Sequence, residues 1–569
     1  MKHIRFQFLT LLSATALTLT SCDLIGSLDG IEPEHVVTDD NYITDVSTAQ
    51  TALNGVYASW RSTGVSYLRY GMSSMAHTQT QAMVMGADEF AAENIETNNS
   101  NVETAYTAYY NVINTANTFL VHINKNIPGL SEEKRTEMIA EARCQRALAY
   151  LTLLKCFGEY WKQDSPYGVC IFQDELVRDN QPRKRSSVAE TYKLISDDLD
   201  YAIAHCEQHP ADHYHMSSVF AKALKAKMYM AQDNYAEAAR LAEEVISEAE
   251  AAGYGLESDY AKIFDEQFNS QEMLFAPYTA NPSELMDSNW YMFSPGSLLK
   301  KVADDLVPDD ETGGDIVIPN PGDGGDVVVP DPDGSSDGSA SGDGGVVIPG
   351  GDGGVVIPGG DGGVVIPGGD GGVVIPGGDG GVVIPGGDGG VVIPGGDGGD
   401  FPFPPGEDDV ASYDALYTWA YKGDAMNGIG KYNKLTPEMF YADSYYFMRL
   451  AEVYYIAAEA EARQGQYAKA RTLLATVIER AGYTEDDVNA IADSDLLGEI
   501  LKHKLCDMSN ENLEEWFDLC RYNRQGGFES WTEDEKAELP SFRRYLLPIP
   551  KASMGANNLL VQNPEYVNQ

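Results

Sequence analysis

The sequence predicts a mainly α-helical protein: tetratricopeptide-like helical repeats carrying long irregular loops, interrupted by a Gly-rich repeat insertion. Three observations predict it. Apolar residues recur at three- and four-residue spacing through several long segments, and no region sustains the alternation of a half-buried strand. "DNYAEAARLAEEVISEA" and "GQYAKARTLLATVIERA" match at a constant offset, Tyr235 with Tyr467, Ala238 with Ala470 and Val245-Ile246 with Val477-Ile478. Each reads as helix, tight turn, helix, with Ala permitting close contact; such units cannot bury their faces alone, so further copies should flank them. Finally, six copies of VVIP recur every nine residues from Val346 to Pro394, after looser relatives DIVIP and DVVVP.

The chain begins with a targeting pattern. Lys2, His3 and Arg5 precede an apolar run from Phe6 to Leu19, too short for a typical span. Leu19-Thr20-Ser21-Cys22 resembles a bacterial lipobox, which implies a signal peptide over 1–21 and lipidation of Cys22. Several acyl chains on one residue anchor far more firmly than one. Residues 22–307 then form the first helical part. Within it, 46–63 and 102–127 show helical spacing. In "MIAEARCQRALAYLTLLKCF", Ile139, Ala142, Arg146, Ala149, Leu153 and Cys156 follow one face until Gly158 stops the helix. Residues 187–205 give another helix, with Ser186 or Ser187 as its N-cap. The six cysteines after Cys22 form no CxxC pair and read as buried thiols.

Residues 308–409 cannot join a helical core. They carry 20 acidic side chains and no Lys or Arg, and each nine-residue unit offers only Val-Val-Ile to bury. Ordering entropy exceeds that burial, so the segment reads as a disordered spacer. Collagen is excluded because Gly does not recur every third residue. The calcium-binding β-roll nonapeptide needs Asp in its sixth position, where here it is third. Residues 410–569 form the second helical part.

The whole chain carries 87 acidic and 39 basic side chains, a formal charge of −48, which argues against nucleic-acid partners. No HExxH, GxSxG or P-loop is present, so no catalytic constellation stands out. "HCEQHPADHYH" gathers His205, His209, His213 and His215, but Pro210 breaks any helix that would align them; it reads as a polar loop rather than a metal site. Aromatic residues are the more useful signal, with 33 Tyr, 18 Phe and 6 Trp. A sugar ring packs its C–H face on an indole or phenol while Asn, Asp or Arg bond its hydroxyls. Trp290 and Tyr291 in the aperiodic "MDSNWYMFSP", Trp60, Tyr67 and Tyr70 in "WRSTGVSYLRYG", and Asp88 and Asn94 in "GADEFAAENIETNN" are the candidates for ligand contact.

These motifs together resemble one family. "AEARCQRALAYLTLLKCFGEYW", "RSSVAETYKLISDDLDYAI" with Asp198-Leu199, "FMRLAEVYYIAAEAEARQG", "EEWFDLCRYNRQG" and "YLLPIPKASMGANNLLVQNPEY" follow in the order seen in SusD/RagB outer-membrane nutrient-binding lipoproteins. One departure is Ser509-Asn510-Glu511-Asn512, where the family more often has a Glu-rich helix. The resemblance implies a non-enzymatic, cofactor-free, surface-exposed lipoprotein of the outer membrane. It would capture glycans and pass them to a SusC-like TonB-dependent transporter. A peptide-binding RagB-like protein and a surface glycoside hydrolase are the alternatives. The resemblance places the repeat in a variable region of one interrupted domain.

Overall fold

The computed structural model describes residues 42–81, 87–174, 182–209, 212–278, 293–306, 446–509 and 511–567. Cys22, Trp290, Tyr291 and the whole 308–409 segment lie outside the described residues. The chain divides into two units, residues 1–308 with 404–569, and residues 309–403.

The helical array begins with α1 (Val46–Ala58), α2 (Thr63–Met75), the short α3 (Ala87–Ala91), α4 (Ser100–Ile123), α5 (Glu132–Phe157) and α6 (Val188–His205). It continues through α7 (Ser218–Ala231), α8 (Tyr235–Ala249), α9 (Tyr260–Glu266) and α10 (Ser297–Leu306). Beyond the insertion come α11 (Leu450–Arg463), α12 (Tyr467–Ile478), α13 (Glu485–Ala490), α14 (Leu496–Met508), α15 (Glu514–Gln525), α16 (Glu533–Ala537) and α17 (Lys551–Ala556). Each long helix packs on the next: α2 on α4, α4 on α5, α5 on α6, α6 on α7, α7 on α8, α8 on α11, and α11 on α12 and α14.

The helix starts follow their caps. Ser131 Oγ accepts from Lys134 N and opens α5 a turn and a half before the predicted start. Ser187 and Glu190 form a reciprocal capping box on α6. From Glu137 onward α5 is buried on nearly every side, which is why its apolar stripe is weak in sequence. It does stop at Gly158, though not through a left-handed glycine: that residue is extended, at φ −124°. A Cβ there would lie 2.7 Å from the Leu154 side chain and 2.9 Å from Tyr167 O, so close approach is what requires glycine.

The two matched segments keep their sequence offset in the structure. α7 and α8 correspond to α11 and α12, and the intervening turns both use a left-handed residue, Asp233 (φ 56°) and Gly465 (φ 77°). In one turn Asn234 N donates to Tyr229 O at 2.9 Å; in the other Gln466 N donates to Glu461 O at 2.9 Å. The equivalent Ala238 and Ala470 are fully buried. α8 and α11 pack directly together, so the two units are neighbours.

Among the described residues, two short antiparallel ladders complete the frame. β1 (Gln79–Gln81) pairs with β3 (Phe293–Pro295), Gln81 opposite Phe293. β2 (Met273–Phe275) pairs with β4 (Met448–Arg449), joining residues from either side of the insertion. Beside that second ladder, Arg449 bonds Glu272, Asp507 (2.8 Å) and Glu511 (2.7 Å), all fully buried. Glu511 belongs to the segment that departs from the family pattern. There the chain breaks between α14 and α15 instead of remaining helical, with Leu513 left-handed at φ 72°.

Candidate functional site

The β1–β3 ladder borders two of the segments that carry candidate ligand-contacting residues in sequence. Because the pairing is antiparallel, the chain leaving β1 at Gln81 and the chain entering β3 at Phe293 meet at one end of the ladder. The first runs on to α3 and the Asn94 loop. The second is preceded in sequence by Tyr291 and Trp290, which lie outside the described residues. Gly296 makes the ladder possible. A Cβ on it would fall 2.1 Å from His77 O, and its N–H donates to Thr78 O at 2.9 Å.

Asn94 is exposed, with its backbone N–H bonded to Glu89 O at 2.8 Å. Its loop is held firmly. Glu89 Oε2 accepts from Glu96 N (2.9 Å) and Asn99 Nδ2 (3.0 Å), and the Glu93 carboxylate accepts from the Ser541 hydroxyl at 2.9 Å. Lys551 N donates to Thr97 O at 2.8 Å. Between this loop and the C-terminal segment lies an open groove of about 780 Å³, lined by Glu96, Thr97, Asn98, Lys551, Gln562 and Val567. Asp88 lies in α3, and Tyr67 is half-buried on α2.

Trp60 and Tyr70 do not face a ligand. Trp60 is 2 % exposed; its Nε1 donates to Gln145 Oε1 at 3.1 Å, and its ring meets Tyr109 and Phe447 edge to face. Tyr70 is fully buried and accepts from Arg69 Nη2 at 2.8 Å. Their spacing across the α1–α2 turn is that of a core, and neither leaves a ring face for a sugar.

The structure adds aromatics that the sequence reading missed. Tyr278 is 46 % exposed and groups with Tyr214 (4.9 Å between ring centroids) and Phe268 (5.3 Å), both half-buried. Tyr278 stands in "FAPYTANPSE", aperiodic like the Trp290 segment it leads into, and that shared lack of period was the available signal.

The dense charge inside the array is structural. Lys155 pairs with Glu514 (2.6 Å), Lys227 with Glu452 (2.8 Å), Lys504 with Asp518 (2.7 Å) and Arg521 with Glu459 (2.6 Å). The space among them is about 10 Å³, roughly one water and far too small for a sugar ring. Burial alone would raise Asp518; Lys504 and Arg521 outweigh it and hold the carboxyl down to about 2.

The fold and these loops define a class: a tetratricopeptide-like helical scaffold presenting irregular segments from one small ladder. Comparison with known proteins then places the chain. The "SusD family" profile matches residues 405–566, and a second, described as "Starch-binding associating with outer membrane", matches 37–230. A SusD-like protein of Bacteroides ovatus is 26 % identical over 198 residues, 33 % of this chain and 35 % of that one. SusD-like protein P2 of Formosa agariphila is 25 % identical over 273 residues, 47 % of this chain and 50 % of that one. The chain thus spans a third to a half of the length of these curated relatives. Among solved structures, a SusD superfamily protein from Bacteroides vulgatus aligns with a TM-score of 0.61 at 17 % identity, covering 92 % of this chain and 100 % of that one. Another, from Bacteroides thetaiotaomicron, gives 0.59 at 19 % identity, again covering 92 % and 100 %. A laminarin-binding SusD-like protein gives 0.57 at 17 % identity, covering 92 % and 99 %. The chain belongs to the SusD/RagB family.

Proposed function

We propose that this protein is a surface lipoprotein that captures oligosaccharides or polysaccharides and delivers them to a SusC-like TonB-dependent transporter. The observation that carries the reading is the β1–β3 ladder. It joins Gln81 to Phe293, from which the chain runs in sequence toward Asp88 and Asn94 on one side and back to Tyr291 and Trp290 on the other, and this adjacency in sequence supports a shared site. A rigid support lowers the ordering cost of binding, while aromatic faces and amide groups suit sugar rings and hydroxyls. The laminarin-binding relative and the starch-binding profile favour a glycan over other ligands. Cys22 carries the lipid anchor in this reading, and no cofactor takes part.

In this reading the protein captures without catalysis, and the ion-paired carboxylates inside the array support it. The buried carboxylates of α11 and α15 are engaged by Lys and Arg around a space no glycosidic bond can enter. Catalysis by a carboxylate pair needs room for the sugar between the two groups.

A glycan and peptide array on the purified protein tests the ligand class. On the glycan retained, Trp290→Ala should weaken binding by about 1–3 kcal/mol with little change in stability, as for an anchor residue. Tyr278→Ala should weaken it less. Release of reducing ends by the protein alone would overturn the binding-module reading, and retention of peptides only would replace the glycan. Cys22→Ala should abolish lipid labelling and membrane fractionation.

A further inference from the structure

The histidine-rich loop between α6 and α7 meets two carboxylates on α5. Glu137 and Glu141 stand one helical turn apart on the same face. Each offers an oxygen, and His209 offers a ring nitrogen, with all three atoms within 4.8 Å of one another. His215 adds a second imidazole: its Nδ1 lies 3.3 Å from Glu141 Oε2, and its ring centroid is 4.9 Å from that of His209. Both carboxylates are buried, at 8 % and 2 % exposure. Lys134 Nζ reaches both Glu137 oxygens at 2.9 Å; Glu141 is met by the Tyr57 hydroxyl and His215.

This arrangement leaves two demands unmet. Adjacent buried carboxylates repel unless a positive charge stands between them, and Lys134 serves only one. His209 Nε2 is buried yet has no hydrogen-bond partner in the protein. One group would answer both.

We propose that Glu137, Glu141 and His209 bind a divalent transition metal of the zinc class, with His215 as the fourth ligand. Mixed imidazole and carboxylate donors suit Zn²⁺, whereas Ca²⁺ and Mg²⁺ prefer all-oxygen sets. Tetrahedral bonds of about 2.0 Å put ligand atoms about 3.3 Å apart, so binding draws the groups inward by roughly 1–1.5 Å. Through the ligands the ion ties α5 to the loop after α6, and the Tyr57 hydroxyl on Glu141 extends the tie to α1. The His215 ring lies tilted beside Tyr214 (4.8 Å between centroids), which groups with the exposed Tyr278, so the metal would also brace that surface.

The test is titration of the chelator-stripped full chain with Zn²⁺, Mn²⁺, Ca²⁺ and Mg²⁺, followed by calorimetry and thermal unfolding. Co²⁺ serves as a spectroscopic stand-in. The expected result is one saturable Zn²⁺ site, a Tm rise of several degrees and a tetrahedral Co²⁺ spectrum, with little response to Ca²⁺ or Mg²⁺. His209→Ala should weaken Zn²⁺ at least tenfold and remove the spectrum, whereas His205→Ala, on an exposed ring outside the cluster, should not. Glu137→Gln, its fold checked by circular dichroism, should behave as His209→Ala does. An unchanged isotherm in His209→Ala, or no stoichiometric site in the parent protein, would overturn the proposal.

Discussion

Arg146 shows what the recognisable residues of this chain do. Its Nε and Nη2 bond both oxygens of the fully buried Asp198 at 2.8 and 2.9 Å, and its Nη1 donates to Asn117 Oδ1 at 2.7 Å. The Arg-Ala and Asp-Leu motifs, quoted separately in the sequence, are two halves of one clamp between α5 and α6. Breaking a buried pair strands a charge, so Asp198→Ala should cost about 3–5 kcal/mol in chemical denaturation. The Arg146→Met/Asp198→Leu pair should cost much less than the two single changes summed. Strict additivity would show that the pair is not coupled. Asp518 predicts a pH effect. Its folded carboxyl is depressed to about 2, below its unfolded value, so its contribution is complete above about pH 4 and fades as pH falls through 2. Stability should drop by an order of 2 kcal/mol across that window. Asp518→Asn should be less stable at pH 6 but should lose this part of the acid slope; an unchanged slope would remove Asp518 from the account. The same scale shows why Trp60 and Tyr70 were misread. An aromatic beside polar neighbours has the same local sequence whether its ring points inward or outward, and the partners that bury Trp60, Tyr109 and Phe447, are remote in the chain.

At the level of elements, helices were legible and ladders were not. Helix α6 and the paired units α7–α8 and α11–α12 follow from period, caps and internal similarity, because local contacts write themselves into local sequence. β1 to β4 span two or three residues each and pair across long separations, leaving no period to read. Yet β1 and β3 border the proposed site, and Gly296 is their tightest point. Gly296→Ala must push β3 off the His77 backbone. Amide exchange should then rise at residues 79–81, and glycan affinity should fall at least tenfold, while far-UV circular dichroism stays that of the helical array. Unchanged exchange with lost binding would mean that the ladder does not position the loops.

For the molecule as a whole, the family and its interruption were readable from the order of motifs, while the ligand and the meeting of Glu137, Glu141 and His209 were not. The Glu137–Glu141 pair and the His209–His215 pair lie about 70 residues apart in sequence, and α6 ends at His205 before either histidine of the second pair. What the sequence lacked was the return of that loop onto α5. Replacing residues 308–409 with a short Gly-Ser linker should preserve a cooperative thermal transition, with Tm within a few degrees. Loss of cooperativity would make the repeat structural.

The β2–β4 ladder has a consequence for how freely the tandem array can change length. Glu272 and Arg449 meet across 177 positions, the insertion included. If the intervening chain behaved as a free coil, closing that loop rather than one shorter by the whole 308–409 segment would cost only about 0.8 kcal/mol. Gaining or losing a single nine-residue copy would change it by roughly 0.05 kcal/mol. Copying errors that add or drop units would thus pass almost unnoticed by folding selection. Sister strains should carry arrays of different copy number between near-identical helical halves.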